Sequence, residues 1–110
     1  MKLPHAERAV VDIEKLRDYS LNPEHEKGKH KTRVFRAAMG FTPKDAERLR
    51  EMVLAAIVTN EAQVNSPNAY GQRLAVDFEA DGVRGKVMIR STWIIRDNED
   101  FPRLTSCYVL

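Results

Sequence analysis

At 110 residues the chain is long enough to bury a single core without staples, and it reads as one domain over residues 1–110. Hydrophobic content of 43% and charged content of 31% exclude wholesale disorder, and a net charge of +2 is too small to mark a nucleic-acid partner by its long-range field. The single cysteine, Cys107, excludes an internal disulfide framework and any multi-cysteine metal site.

The opening "MKLPHAERAVVD" reaches charges before any useful apolar run, and no later stretch is long enough to cross a bilayer, so the expected location is the cytoplasm, with no membrane partner. Asp12 caps a first helix that runs through about Leu21, with Ile13, Leu16 and Leu21 on its apolar side, and Pro23 keeps Asn22 out of helical geometry. The segment "LNPEHEKGKHKTRVF" then gathers His25, Lys27, Lys29, His30 and Lys31 around Gly28. A second helix is predicted from about Lys29 to Met39, burying Val34, Phe35, Ala38 and Met39, with Gly40 as its left-handed terminus. Positive charge in a first turn opposes the helix dipole, so the lysine cluster is not there for helix stability and leans toward anion binding. Thr42 and Pro43 signal a third helix carrying Ala46, Leu49, Met52, Val53, Ala56 and Ile57 at helical spacing.

From about Glu61 the period becomes two. "YGQRLAVDFEA" and "KVMIRSTWII" read as strands, joined through an Asp81-Gly82 hairpin signal, and "RDNED" leads to a last strand, "PRLTSCYVL". "EAQVN" adds a candidate edge strand. The fold class is α+β: N-terminal helices, about residues 1–60, packed on one face of a three- to four-stranded antiparallel sheet, about residues 61–110.

A two-residue turn at Asp81-Gly82 sets Arg73 opposite Arg90, and a tight turn about Asn98-Glu99 sets Thr92 opposite Thr105 and Arg90 opposite Cys107. Alternation then collects Arg73, Arg90, Thr92 and Thr105 on the face away from the aliphatic residues, while Tyr108 falls on the aliphatic face, Gln72 partners Ser91, and Tyr70 stands by Trp93. Opposed arginines call for an anion between them. Asp77 is the structural candidate and a phosphate the functional one, and a one-residue slip would overturn the grouping.

"LPHAERAVVDIEKLRDYSLNPEHEKGKHKTRVFRAAMGF", "YGQRLAVDFE" and "STWIIRDNEDFPRLTSCYVL" together resemble an uncharacterised bacterial domain family. Its members occur alone and as the C-terminal module of polymorphic or contact-dependent toxins. Such toxin tips are similar to the barnase, EndoU, colicin and RelE group of metal-independent ribonucleases. The resemblance implies that His25, Gly28, Lys31, Tyr70, Arg90, Thr92, Thr105 and Tyr108 are recurring polar positions of the family. Glu26 stands where members often carry proline, and His30 is outside the pattern.

Metal-free RNA cleavage needs a proton taken from a 2′-hydroxyl, a proton given to the leaving 5′-oxygen, and stabilised phosphoryl charge. His25 suits the proton transfers, since imidazole titrates at about 6.5. Lys31 and Arg90 suit the phosphoryl charge, Thr92 or Thr105 a phosphate hydrogen bond, and Tyr108 a base. Arg73, Tyr70, Thr105 and Lys29 are the further substrate-binding candidates. Each has a plainer reading: His25 as a loop side chain, Lys29 as a solvated helix entrance, Arg90 paired with Asp77 or Glu79, and the threonines as ordinary strand residues. Trp93 reads as core and Cys107 as a small buried residue. His5, His25 and His30 lack metal-ligand spacing, and neither a metal nor a cofactor is expected. Two functions follow as alternatives: a toxin-like ribonuclease acting on structured RNA such as tRNA and held by a small antitoxin or immunity protein, or a non-catalytic protein- or RNA-binding module.

Overall fold

The computed structural model of the chain describes residues 1–22, Glu24 and residues 29–110, with Lys29 and His30 described by their backbone. The first helix begins where its cap dictates: the Asp12 side chain accepts a hydrogen bond from the Glu14 N–H at 3.1 Å and starts α1 (Ile13–Lys15). The chain continues as a wider π-helical turn, Leu16–Ser20, which buries Leu16 and Ser20. Helix α2 spans Lys29–Met39 and stops at Gly40, whose φ of 69° is the left-handed geometry foreseen for it. A short turn at Pro43–Asp45, with the Thr42 N–H donating to the Asp45 carboxylate at 2.9 Å, leads into α3 (Ala46–Ile57).

Four antiparallel strands follow: β1 (Ala62–Val64), β2 (Gly71–Gly82), β3 (Gly85–Arg96) and β4 (Arg103–Val109), in the spatial order β1-β2-β3-β4. The α+β class and the edge strand at β1 agree with the period-two pattern. Leu74, Val76, Phe78, Ile89, Trp93 and Leu104 point from the sheet into one core with Leu16, Phe35, Leu49, Val53 and Ile57 from the helical half. Among the described residues no helix covers the other face of the sheet, which carries the polar alternate residues. At the start of β4 the N-terminal segment closes the edge, with the Val10 N–H donating to Pro102 O and the Leu104 N–H to Val10 O, each at 2.9 Å.

Two registers differ from expectation. The first hairpin turns at Val83 and Arg84, not at Asp81-Gly82, because β2 and β3 stay paired through Asp81 with Lys86 and Gly82 with Gly85. A contact from another element fixes this: the Val83 N–H donates to Ala38 O of α2 at 2.8 Å. A Cβ at Gly82 would sit 2.5 Å from the same oxygen, so glycine is needed there for close approach, while Gly85, at φ 127°, takes the backbone conformation the turn requires. The shift is four positions, an even number, so every side chain keeps its face. Arg73 therefore faces Ile94, and Arg90 faces Asp77.

The second hairpin follows the expected register at Trp93 with Leu104 and Ile94 with Arg103, then changes by one across a bulge at Thr92/Trp93. Beyond it Thr92 faces Ser106, Ser91 faces Cys107, and Arg90 faces Tyr108. The inserted residue reverses the expectation for Tyr108, which joins the polar face, and leaves Cys107 in the core as the small buried residue it reads as. Ser91 partners Val76 rather than Gln72, donating from its hydroxyl to Val76 O at 2.9 Å. Trp93 pairs with Leu74 instead of standing by Tyr70.

Candidate functional site

The open face collects its polar groups from β2, β3, β4 and the first turn of α2. Asp77 and Arg90, opposite each other across β2 and β3, form a two-point fork, Nε to Oδ1 at 2.7 Å and Nη2 to Oδ2 at 2.8 Å. The hydrogen bonds to Asp77 raise the Arg90 pKa above its usual value, against desolvation, with a smaller contribution from Tyr108. The structural partner foreseen for Arg90 is thus the one it has, and the predicted Arg73–Arg90 opposition does not occur.

Tyr108 is brought to Arg90 by the bulge, and its ring is capped from outside the sheet. Lys31, in the first turn of α2, holds its ammonium 4.1 Å from the Tyr108 ring centroid. Helix α2 therefore lies at the β4 side of the sheet with one cation reaching the polar face. Thr92 Oγ1 lies 2.7 Å from both Thr105 Oγ1 and Ser106 Oγ, so the extra residue of the bulge turns a pair of hydroxyls into a cluster of three. Arg73 is steadied by its Nε–H donating to Ser66 O at 2.9 Å in the connection from β1 to β2. Lys31, Asn65, Arg73, Thr92, Thr105, Ser106 and Tyr108 line one hollow of about 310 Å³. Among the described residues neither Lys31 nor Arg73 has an acidic partner.

Five of the sequence-predicted site residues thus share that hollow, namely Lys31, Arg73, Thr92, Thr105 and Tyr108, and Arg90 stands beside Tyr108 on the same face. Tyr70 does not join them. It lines a second hollow of about 740 Å³ with Asn68, Ile94, Arg96, Asp97 and Asn98, and Thr105 belongs to both. His25 lies outside the described residues, as does the side chain of Lys29. Asn65 and Ser106 were missed: the bulge that places Ser106 opposite Thr92 has no signal in the strand alternation, and Asn65, read as the end of the edge strand, lies one residue beyond β1.

Residues 2–110 match the model of a family described as a domain of unknown function, DUF6883. The chain belongs to that family. No curated protein and no solved structure matches it. The DUF6883 chain is thus an uncharacterised domain by family, as the sequence resemblance implied, with an α+β fold. Its Cys107 is only 3% exposed, and burial pushes the thiol up to about 12, so it is no nucleophile. Among the described residues no three His, Cys, Asp or Glu side chains stand together as a metal-ligand set, and no helix is long and apolar enough to cross a membrane.

The hollow gathers positive charge and hydroxyl groups. The Lys31 ammonium, the Arg73 guanidinium and the hydroxyls of Thr92, Thr105 and Ser106 line the hollow, with the Tyr108 ring in its wall. The donors and positive charge of such an array are complementary to an anion, and its ring to a planar group.

Proposed function

We propose that this DUF6883 domain is a metal-independent ribonuclease acting on structured RNA such as tRNA, with the open sheet face as its site. The observation that carries the reading is the hollow shared by Lys31, Arg73, Thr92, Thr105 and Tyr108, residues far apart in sequence whose two cations have no acidic partner among the described residues. A phosphodiester seated there is neutralised by Lys31 and Arg73 and hydrogen-bonded by Thr92 and Thr105, while Tyr108 packs against a base. In the reaction the 2′-oxygen attacks the adjacent phosphorus and the bond to the 5′-oxygen breaks. His25 takes the 2′-hydroxyl proton and supplies one to the departing oxygen. Arg90, oriented by Asp77, turns its remaining N–H groups to the oxygens on which charge develops. The products are a cyclic phosphate and a free 5′-hydroxyl.

The resemblance to toxin modules supports the same reading and extends it: the domain acts in the cytoplasm and is restrained by a small antitoxin or immunity protein laid over the cationic face. A second reading, an RNA- or protein-binding module without turnover, is favoured by the Arg90–Asp77 fork, which accounts for Arg90 without any substrate. Incubation of the purified chain with total RNA in excess chelator separates them. Cleavage with cyclic-phosphate ends, lost in His25→Ala and Arg90→Ala, is expected. RNA that binds in a salt-dependent manner and stays intact for hours overturns the enzymatic reading.

A further inference from the structure

We propose that the second hollow, between the Tyr70 turn and the β3–β4 connection, is a base subsite selective for guanine; the proposal rests on the open face being an RNA site. Tyr70 is 74% exposed, yet its position is built. The Asn68 side-chain oxygen accepts the N–H groups of Tyr70 and Gly71 at 2.8 and 3.1 Å, and the Asn68 N–H donates to Gly71 O at 3.0 Å. The Asp97 N–H donates to Tyr70 O at 3.0 Å, which ties this turn to the end of β3. A Cβ on Gly71 would lie 2.1 Å from Ile95 O, so the strands meet here more closely than any other residue allows. A large aromatic ring held in solvent by a fixed backbone is a stacking platform.

Ile94, 9% exposed, gives the hollow an apolar floor. Asp97 supplies the edge. Glu99 is held by Arg103 and Asp100 by Arg8, but the Asp97 carboxylate has no partner among the described residues. Two carboxylate oxygens match two adjacent N–H donors, and guanine is the RNA base whose ring N–H and exocyclic amino group stand side by side. Adenine and cytosine set their amino group beside an acceptor nitrogen, and uracil flanks its N–H with carbonyls, so each turns a lone pair toward the carboxylate. The placement suits one nucleotide. Thr105 lines both hollows, and Thr92 to Ile94 along β3 is about 6.6 Å, roughly the reach from a phosphate to the base it carries.

Nuclear magnetic resonance titration of the full chain with the 3′-monophosphates of guanosine, adenosine, cytidine and uridine tests this. Guanosine 3′-monophosphate is expected to bind about tenfold tighter than the other three, the discrimination of one two-point pair. Asp97→Asn is expected to erase the preference with little effect on the other nucleotides, and Tyr70→Ala to weaken all four by about fivefold or more. Equal affinities, a preference that survives Asp97→Asn, or no binding of any nucleotide overturns the subsite. Failure of the ribonuclease reading looks different: a guanine preference with RNA left intact upholds the subsite and removes the enzyme, whereas cleavage indifferent to guanine removes the subsite and upholds the enzyme.

Discussion

The two faces of the sheet are made from alternate residues of the same strands and obey different constraints. On the covered face the large side chains at its centre are apolar and packed, with Leu74, Val76, Ile89 and Trp93 no more than 1% exposed. Its one fully buried polar side chain, Ser91, is satisfied twice: it donates to Val76 O and accepts the Trp93 indole N–H, each at 2.9 Å. On the open face the accounting does not close. Arg90 has Asp77, but among the described residues Lys31 touches only a ring and Arg73 only a backbone oxygen. A core polar group that is fully paired needs no ligand to explain it, whereas gathered cations without acidic partners have an unmet electrostatic demand.

The sharpest way to break this contrast is in the core. Trp93→Ala is expected to cost about 3–5 kcal/mol in chemical denaturation, most of the stability of a small domain. Ser91→Ala is expected to cost about 1–3 kcal/mol because it strands the indole N–H. A loss under about 1 kcal/mol for Trp93→Ala would mean this face is not the core.

Next in size is the Arg90–Asp77 fork. Arg90→Ala leaves a partly buried carboxylate unpaired and is expected to cost about 1–3 kcal/mol, with part of that regained in the Arg90→Ala/Asp77→Ala double variant. Additive losses in that cycle would show that the fork is not an energetic unit.

Lys31→Ala sharpens the comparison from the other side. It removes one cation–π contact, so stability should change by under about 1 kcal/mol. RNA cleavage should fall roughly a hundredfold if the ammonium stabilises phosphoryl charge. Unchanged cleavage kinetics in a fully folded Lys31→Ala protein would take the hollow out of the mechanism.

The smallest effect is expected in the β3–β4 connection. Hydrogen bonds from Arg103, at 2.8 Å, hold the Glu99 carboxyl below its ordinary value of 4.5 against desolvation. A carboxyl depressed in the folded state adds stability above its unfolded pKa and loses it as pH falls through the lower folded value. Acid titration of unfolding should therefore show a loss below about pH 4.5, shallower in Glu99→Gln. An identical acid limb in the variant would show that the pair contributes nothing to stability.

Much of the fold and part of the site were legible in the residues, for reasons that differ by position. Asp12, Gly40 and Thr42-Pro43 mark helix ends because caps act over a few residues. Arg73, Arg90 and Thr92 keep the shared face that alternation gives them because a four-position shift in β2–β3 leaves parity intact. Tyr108 was misplaced because one bulge residue in β4 reverses parity. The meeting of Lys31 with Tyr108 had no local signature, since it joins a helix to an edge strand 77 residues away (108 − 31).

Taken alone, the sequence determined the kinds of element, their order and the apolar stripe that each one buries, because periodicity and capping are properties of neighbouring residues. Only the tertiary structure decided where the strands pair and what the open face holds. The Ala38–Val83 hydrogen bond moved the first turn, and the Thr105 insertion brought Tyr108 beside Arg90. Register and bulges are fixed by contacts between distant segments, and a strand's alternation is nearly indifferent to them until packing chooses one.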